Sequence, residues 1–326
     1  MNVLVTGGAG YIGSHAVKSL LKNGHTVVVV DDLSHGFRNA VDPRAIFFEM
    51  NINEAEALKL ILDKHSIEIV LHFAAFIEVG ESVLDPYKYY SNNFSSGVSL
   101  LNTISQSNVK KLVFSSTAAV YGNPLYVPID EGHIKSPISP YGRSKFMMEM
   151  AIEDFSKAHG IGYAILRYFN VAGAAPDASI GEAHEPESHL IPRILKAAIL
   201  ESPEVSIYGT DYKTKDGTCV RDYVHVEDLV NAHLLAMEAI RPPAGEIFNI
   251  GSERGFTVLE VLEACERATG KKIRSKSESR RAGDADSLVA SSQKIRQVLN
   301  WTPQFPDLST IVNHAWAWHQ KISKYP

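Results

Sequence analysis

The sequence has few of the features that mark secreted or membrane-bound proteins. Only two of its 326 residues are cysteine, Cys219 and Cys265, which is too few for a disulfide framework and favours reduced, buried thiols. No apolar run approaches the roughly 18 residues that span a bilayer. The N-terminus enters a strand-like run without the apolar core of a signal peptide. We therefore expect a cytoplasmic protein with no membrane partner.

Basic charge is also scarce. The 32 Lys and Arg residues are outnumbered by 37 Asp and Glu residues, which gives a formal net charge of −5. The basic residues are scattered, so we expect no nucleic-acid partner, although local arginines could still bind an anionic small molecule. Apolar residues make up 45% of the chain, which is enough to bury a core in one large domain or in two.

The sequence does contain a glycine-rich turn between an apolar run and a helical pattern. Residues 3–5 are apolar, and Gly7, Gly10 and Gly13 lead into residues 12–23, whose spacing predicts a helix. Glycines in such a turn let the backbone bend sharply and approach a pyrophosphate closely. The N–H groups at the start of the helix then point at the phosphates. The turn therefore predicts a dinucleotide-binding loop.

The residues around this turn narrow the nucleotide. Asp31 ends the next apolar run, where an acidic side chain can accept both hydroxyls of an adenosine ribose and repel a 2′-phosphate. NAD is therefore favoured over NADP. A triphosphate-binding loop would need a lysine after its last glycine, but Gly13 is followed by Ser14.

Apolar runs alternate with helical patterns along the first half of the chain. This alternation is typical of an α/β fold with a doubly wound parallel sheet of the Rossmann type. The predicted strands cover residues 2–6, 26–30, 46–48, 67–73, 111–116 and 162–169. The predicted helices cover residues 12–23, 54–64, 86–107 and 141–159.

A loop rich in glycine and proline at residues 171–188 predicts a domain boundary. We expect residues 1–175 to form an NAD-binding Rossmann domain and residues 176–326 to form a smaller α/β substrate domain. Residues from about 224 to 250 contain a helical pattern and then an apolar run, and they are expected to rejoin the first domain.

The candidate chemistry lies at the start of the helix predicted at 141–159. Tyr141 and Lys145 are spaced to lie one turn apart on one helix face. A free phenol titrates near pH 10, so its anion needs roughly 4 kcal/mol of stabilisation at neutral pH. A lysine ammonium and an oxidised nicotinamide could supply that energy. Thr117 at the end of a predicted strand could bridge substrate and phenol, so we expect Tyr141 to act as a base.

Motifs along nearly the whole chain resemble the extended short-chain dehydrogenases/reductases, and among them the 4-epimerases of UDP-glucose and UDP-galactose. The resemblance implies an isomerase in which Tyr141 takes the proton of the sugar 4-hydroxyl while hydride passes from C4 to NAD. The 4-ketose then turns over and is reduced on its other face, so tightly bound NAD is regenerated each cycle. The motifs are residues 6–15, Asp31 and residues 72–75, 79–82, 90–93, 115–122, 141–145, 167–170, 221–226 and 280–284.

The resemblance also implies site residues, of which Tyr141, Lys145 and Thr117 are catalytic. It places NAD against Gly7, Gly10, Tyr11, Ile12, Gly13, Asp31, Asp32, Leu33, Ser34, His35, Gly36, Asn51, Ile52, Phe73, Ala74, Ala75, Asn92, Ser115, Tyr141, Lys145 and Phe169. It places a UDP-sugar against Thr117, Tyr141, Asn170, His189, Leu190, Ser206, Tyr208, Arg221, Arg281 and Asp284. Arg221 and Arg281 would pair with the diphosphate. A homodimer through helices 86–107 and 141–159 is implied as well.

The chain departs from the best-known pattern of these epimerases at four positions. Asn51, Ile77 and His189 replace an Asp, a Lys and an Asn, and the first two changes weaken inferred cofactor contacts. Leu288 stands where some members carry a bulky Tyr beside the sugar. The smaller side chain leaves room for a 2-acetamido group, so UDP-GlcNAc and UDP-GalNAc, or another pair of 4-epimers, stay open as substrates.

Other functions are less favoured. Dehydratases of the family carry Asp-Glu after the strand-end threonine, whereas Thr117 is followed by Ala118 and Ala119, which cannot donate or accept a proton. A non-catalytic NAD-binding sensor would not need Tyr141 and Lys145 in register with Thr117.

A metal site is the least favoured hypothesis. Its candidate ligands are His184, Glu185, Glu187 and His189, in a loop that contains a proline. The two histidines lie five positions apart and no third ligand is apparent, so the pattern favours a solvated loop. We therefore expect no metal.

Overall fold

A computed structural model gives the fold of residues 1–200, 204–281 and 285–322. Strands and helices alternate through its first half, as predicted. The strands are β1 (Asn2–Thr6), β2 (Thr26–Asp31), β3 (Ile46–Glu49), β4 (Ile69–His72), β5 (Lys111–Thr117), β6 (Gly162–Tyr168), β7 (Asn170–Ala172), β8 (Glu204–Tyr208), β9 (Val220–His225), β10 (Gly245–Ile250), β11 (Gly255–Thr257), β12 (Arg274–Glu278) and β13 (Ser287–Leu288).

The helices cover both faces of the main sheet and pack beside the smaller ones. They are α1 (Tyr11–Lys22), α2 (Ala55–Lys64), α3 (Val79–Leu84), α4 (Pro86–Tyr89), α5 (Ser96–Ser105), α6 (Pro140–His159), α7 (Leu190–Ile199), α8 (Val226–Ala239), α9 (Val258–Thr269), α10 (Gln293–Leu299) and α11 (Leu308–Ile322). A search of the described residues finds no helix with the length and apolar character needed to cross a membrane.

Seven strands form one parallel sheet in the order β10-β6-β5-β4-β1-β2-β3. The predicted doubly wound parallel sheet is therefore confirmed. The strand order reverses at β1 and β4, and sheets of this kind bind ligands outside the carboxyl ends of the strands next to such a point. Strand β10 comes from the later part of the chain and pairs with β6.

The core lies in two layers because neighbouring strand residues point to opposite faces of the sheet. Val3 and Val5 of β1 face α1 and α8, in one buried cluster with Leu20. Leu4 faces the opposite side, in a second cluster with Leu100 and residues of α2 and α6. The unbroken apolar runs of the central strands follow from this burial on both faces.

The later part of the chain builds two small sheets. Strand β9 pairs with β7, β11 and β13, while β8 pairs with β12. Helices α7, α9 and α11 pack together through a third buried cluster that includes Ile191, Leu262 and Ile311. The smaller α/β part is thus present, and the division at residues 175 and 176 stays a prediction.

Local sequence signals account for several helix ends. The Ser139 hydroxyl accepts a hydrogen bond from the Gly142 amide and Pro140 opens α6, while Gly160 ends it with φ +68°. Thr257 and Glu260 form the capping box of α9. These features fix where each helix begins and ends.

One predicted helix differs from the structure. The segment 86–107 is not one regular helix, because residues Tyr90–Ser95 form a π-helical turn between α4 and α5, and α5 ends at Ser105. At this turn the Ser96 hydroxyl donates to the Ser91 carbonyl at 3.2 Å.

A buried ion pair ties α6 to the sheet. Arg167 on β6 and Glu149 on α6 are 2% and 1% exposed, and the guanidinium binds both carboxylate oxygens, the shortest contact being 2.6 Å. The Tyr121 hydroxyl accepts another hydrogen bond from Arg167 at 3.0 Å. Each charge is therefore satisfied only while its partners stay in place.

We expect Glu149→Gln to destabilise the protein by about 3 kcal/mol, because a buried guanidinium would lose its countercharge. The melting temperature of the purified protein measures this loss. Asp154→Asn is the matched control, since Asp154 lies on the same helix with its side chain 80% exposed and should stay within about 0.5 kcal/mol. Equal melting temperatures for the two variants would contradict the prediction.

Candidate active site

Of the three glycines predicted to form the dinucleotide-binding loop, two are packed too closely against backbone atoms for a larger residue. Gly7 has φ +73°, and a Cβ built there would lie 2.5 Å from the Ala74 amide nitrogen. A Cβ on Gly13 would lie 2.0 Å from the Gly7 carbonyl oxygen. Among the residues that the structure describes, a Cβ on Gly10 would meet only that oxygen, at 3.4 Å. Gly7 and Gly13 are therefore required by the fold, whereas Gly10 is not.

The start of α1 suits an anion. Gly10 is the N-cap residue and provides no side-chain hydrogen bond to the first turn. The first N–H groups of a helix have no intrahelical acceptor, and the helix dipole adds positive potential there. These groups can bind a pyrophosphate, which fits the predicted role of Tyr11, Ile12 and Gly13.

The Asp31 carboxylate lies beside this loop and is 8% exposed. One oxygen accepts from the Ala9 amide at 2.9 Å and the other accepts from the Leu33 amide at 2.9 Å. Burial raises its pKa, and these two hydrogen bonds oppose the shift. Each carboxylate oxygen has a second lone pair, so the group can still accept hydroxyls of a ribose.

The other residues predicted to contact the adenosine end of NAD follow Asp31 in the chain, beginning with Asp32. Its carboxylate accepts from the Ser34 amide at 3.0 Å and from the Asn51 side chain at 2.7 Å. Gly36 packs on Ala9, and His35 contacts Phe76 with ring centroids 5.1 Å apart. Asn51 is thus engaged by a protein carboxylate, while Ile52 is buried in the core.

The loop after β4 closes over the glycine loop. The Phe73 amide donates to the Thr6 carbonyl at 3.0 Å, and Ala74 faces Gly7. Asn93 holds the rest of the loop, because its side chain bonds both the amide and the carbonyl of Phe76 at 2.9 Å. The predicted contact Asn92 donates to Asn93, so Asn93 is a holding residue that the sequence analysis missed.

Tyr141 lies at the first turn of α6 and is 8% exposed. Burial raises its pKa to about 12, a hydrogen bond with Thr117 lowers it, and the charge of Glu78 raises it. Burial therefore keeps this phenol protonated at neutral pH when only the protein's own groups act on it, and its role as a base with oxidised NAD stays a prediction. The predicted pairing of Tyr141 with Thr117 is present.

Lys145 is buried beneath Tyr141. Its ammonium donates to the Ser115 carbonyl at 2.8 Å and lies 4.9 Å from the centre of the Phe114 ring. Burial lowers its pKa to about 7, although the charge of Glu149 opposes the shift. The pKa of His72 is lowered to about 3, mainly by burial and further by the positive charge of Lys145.

The end of β5 completes this part of the site. The Ser115 hydroxyl lies 2.7 Å from the Tyr168 hydroxyl, and the Thr117 hydroxyl accepts from the Ala119 amide at 3.1 Å. Phe169, another predicted cofactor contact, is 8% exposed in a small buried cluster with Ala118. Ala75 is half-buried in the loop after β4.

Some of the predicted UDP-sugar contacts lie together at the two small sheets. The Arg281 guanidinium stacks on the Tyr208 ring at 3.9 Å. Hydrogen bonds from Arg281 and Arg193 lower the pKa of Tyr208, the first being the larger effect. Arg193 lies one turn into the helix that starts at Leu190, and the sequence analysis missed it. Ser206 is in the same strand as Tyr208.

The other predicted contacts lie on neighbouring strands. Arg221 on β9 donates to the carbonyls of Val220 and Ala285, each at 2.9 Å. Leu288 is opposite Arg221 in the pairing of β13 with β9, and Asn170 begins β7. Asp284 lies outside the described residues.

The loop before α7 differs from the solvated loop that the sequence predicted. The side chains of Glu182 and Glu187 are each only 3% exposed. Glu182 accepts from Nδ1 of His189 and lies 3.1 Å from Nδ1 of His184. Burial alone would lower the pKa of His189, but the charge of Glu182 and its hydrogen bond raise it to about 9.

Glu78 links this loop to Tyr141, and the sequence analysis missed it. Its carboxylate accepts from the Ser188 hydroxyl at 2.8 Å. Its charge acts on both Tyr141 and His189. The only available signal was its position just before the motif at residues 79–82.

Known proteins are similar to this chain in both sequence and fold. A model of the NAD-dependent epimerase/dehydratase family matches residues 3–251. The UDP-glucose 4-epimerase of Lactobacillus helveticus is 50% identical over 325 residues, covering 99% of this chain and 98% of that protein.

Two solved structures show the same likeness. The Stenotrophomonas maltophila UDP-glucose 4-epimerase, with bound NAD and formylated UDP-arabinopyranose, has a TM-score of 0.95 at 37% identity and covers all of both chains. The Campylobacter jejuni UDP-Glc/GlcNAc 4-epimerase has a TM-score of 0.84 at 39% identity, covering 98% of this chain and 99% of that one.

We expect Gly10→Ala to fold normally yet to weaken dinucleotide binding by about tenfold or more, because its methyl group would occupy the approach to the phosphates. The NAD content of the purified protein and its melting temperature measure the two effects. Gly80→Ala is the control, since a Cβ there meets nothing within 4 Å. Unchanged NAD content in Gly10→Ala would contradict the assignment of this loop.

Proposed function

The chain belongs to the NAD-dependent epimerase/dehydratase family, and from that premise we propose that it interconverts UDP-glucose and UDP-galactose. The observation that supports this most is the placement of Tyr141, Thr117 and Lys145 at the carboxyl end of β5. This is the edge of the sheet where ligands of doubly wound folds bind.

Tyr141 is the residue that exchanges a proton with the sugar 4-hydroxyl. Its hydrogen bond with Thr117 orients the phenol, and the threonine hydroxyl can also contact the sugar. When bound, oxidised NAD supplies a hydride acceptor for C4 and a positive charge that lowers the phenol pKa. The side chain is otherwise buried, which keeps water away from the proton being transferred.

Lys145 acts on Tyr141 through its charge and its position. The ammonium is held by the Ser115 carbonyl, one turn along the helix from the phenol. A buried cation one helical turn from the phenol favours the phenolate form over the neutral phenol. Because burial lowers the lysine pKa to about 7, the ammonium is only partly populated at neutral pH unless an anion forms beside it.

The nucleotide must stay bound while the 4-ketose turns over. Arg221 and Arg281 are proposed to hold its diphosphate, since guanidinium groups pair with phosphates through two hydrogen bonds. The Tyr208 ring stacks on Arg281 and limits the directions in which that guanidinium can point. Asn170, His189, Leu190 and Ser206 are proposed to complete this side of the site.

The proposal predicts that the purified protein carries NAD and converts each UDP-hexose into its 4-epimer without net cofactor reduction. Chromatographic separation of products after incubation with UDP-glucose or UDP-galactose measures the conversion. Tyr141→Phe should lower turnover at least about 100-fold, in line with the loss of a general base. No product from any UDP-sugar would refute the epimerase assignment, and normal turnover by Tyr141→Phe would refute the assigned base.

Leu288 favours a second substrate pair in the same assay. It is half-buried on β13 directly beside Arg221, which is proposed to hold the diphosphate. A leucine leaves more space than the tyrosine found there in some members, so UDP-GlcNAc and UDP-GalNAc are included as substrates. Turnover of these sugars in wild type but not in Leu288→Tyr would support this broader specificity.

A homodimer in the cytoplasm is also part of the proposal. Tyr87 on α4 and Met150 on α6 are exposed apolar residues of the two predicted helices, and Leu84 on α3 is exposed beside them. Leu101 on α5, which belongs to the same predicted helix, is 1% exposed in the core and cannot contribute. A face of this kind on adjacent helices favours a four-helix interface.

Met150→Glu should shift the protein from dimer to monomer at micromolar concentration, because the new charge would be buried in the interface. Sedimentation velocity measures the change. Leu60→Glu is the control, since Leu60 on α2 is also exposed and lies outside the proposed interface. A monomeric wild type, or a dimeric Met150→Glu variant, would contradict the interface.

A further inference from the structure

The loop between β7 and α7 brings together four side chains that can bind a metal ion. We call Glu182, His184, Glu187 and His189 the His/Glu cluster, and one donor atom from each lies within 4.8 Å of the others. Sequence spacing hid this arrangement, because it pointed to Glu185 instead of Glu182. The side chain of Glu185 is 80% exposed and pairs with Lys196.

One buried oxygen atom of this cluster is left without a partner by the described residues of the protein. The Glu187 carboxylate accepts from the His189 amide at 2.9 Å, but its other oxygen is buried and finds no hydrogen-bond partner among the described residues. A buried carboxylate oxygen that lacks a partner costs free energy that a cation would recover.

The histidines are already arranged as ligands. Nδ1 of His184 and Nδ1 of His189 both face the same Glu182 oxygen, and their ring centroids are 5.4 Å apart at nearly a right angle. A zinc ion at about 2.0–2.2 Å from each donor would hold tetrahedral donors roughly 3.3 Å apart. The donor atoms, which lie within 4.8 Å of one another, would therefore move closer together on binding. His189 is half-exposed at the end of the loop, so its side chain has room to move.

We propose that the His/Glu cluster binds one divalent transition-metal cation of the zinc type. Two imidazole nitrogens and two carboxylate oxygens make a mixed donor set that suits zinc better than magnesium or calcium, which prefer oxygen ligands alone. Two carboxylates also balance the double positive charge. The proposal does not depend on the epimerase assignment.

The position of the cluster indicates a structural role. Trp318 on α11 donates to the Glu182 carbonyl at 2.7 Å, and Tyr11 of the glycine loop contacts the His184 ring at 6.4 Å between centroids. A bound cation would therefore fix the loop that leads into α7. It would position His189 and Leu190, which are proposed to contact the UDP-sugar.

Cobalt titration of the full-length, tag-free protein tests the site directly. After treatment with a chelator, the wild type should bind one Co²⁺ per chain with the visible absorption of tetrahedral coordination, and Zn²⁺ should displace it. Mg²⁺ should not compete. Zn²⁺ should also raise the melting temperature, because it binds the folded chain. Neither readout requires turnover.

Variants of the loop decide between a metal site and a hydrogen-bonded cluster. Glu187→Gln and His184→Asn should each weaken Co²⁺ binding by at least about tenfold. Glu185→Gln, the matched change at the neighbouring exposed glutamate, should bind as the wild type does. Glu187→Gln preserves the side-chain shape, so it decides the question if His184→Asn fails to fold. Absent Co²⁺ binding in the wild type, or equal affinity in all three variants, would overturn the proposal.

Discussion

The candidate site depends on how helix α6 is held against strand β5. Tyr141, Lys145 and Glu149 recur every four residues along α6, so they form one stripe on its buried face. Three successive strand residues meet this stripe: Thr117 bonds Tyr141, the Ser115 carbonyl accepts from Lys145, and the Ser116 hydroxyl donates to Glu149. A slip of the helix along the strand would break all three interactions at once. The position of the reactive phenol along the strand is therefore fixed by these three polar contacts.

Burial of Tyr141 and Lys145 disfavours their charged forms and makes both groups sensitive to a nearby charge. Desolvation lowers the pKa of Lys145 to about 7 and raises that of Tyr141 to about 12, so the protein alone favours the neutral forms of both. Two neutral groups in a buried site respond strongly to a new charge, because the local dielectric is low. Glu149 limits the effect on the lysine, and its own charge is balanced by Arg167. The Glu149–Arg167 ion pair, one helical turn along α6 from Lys145, therefore influences the charge of the lysine.

Local sequence signals predicted most of the fold and the centre of the site. The alternation of runs predicted the parallel sheet, and the i, i+4 spacing of Tyr141 and Lys145 placed them on one face, both of which the structure confirms. The resemblance to the UDP-sugar 4-epimerases is confirmed as well. The burial that raises the phenol pKa was not predicted, since spacing reports proximity and carries no information on desolvation. The short strands β7, β11 and β13 were missed because each is only two or three residues long and pairs with β9, which is distant in sequence from β7 and β13.

The same limit explains the loop before α7. Its Asp, Glu, His and Pro content is typical of solvated loops, and the burial of Glu182 and Glu187 follows from contacts far along the chain. Trp318 on α11 donates a hydrogen bond to the Glu182 carbonyl, while Ser188 is bonded to Glu78 beyond β4. Glu78 in turn belongs to the loop that Asn93 holds over the glycine turn. A continuous set of contacts thus joins the residues proposed to hold the nucleotide sugar to those proposed to hold NAD, so displacement of either loop disturbs the packing of the other.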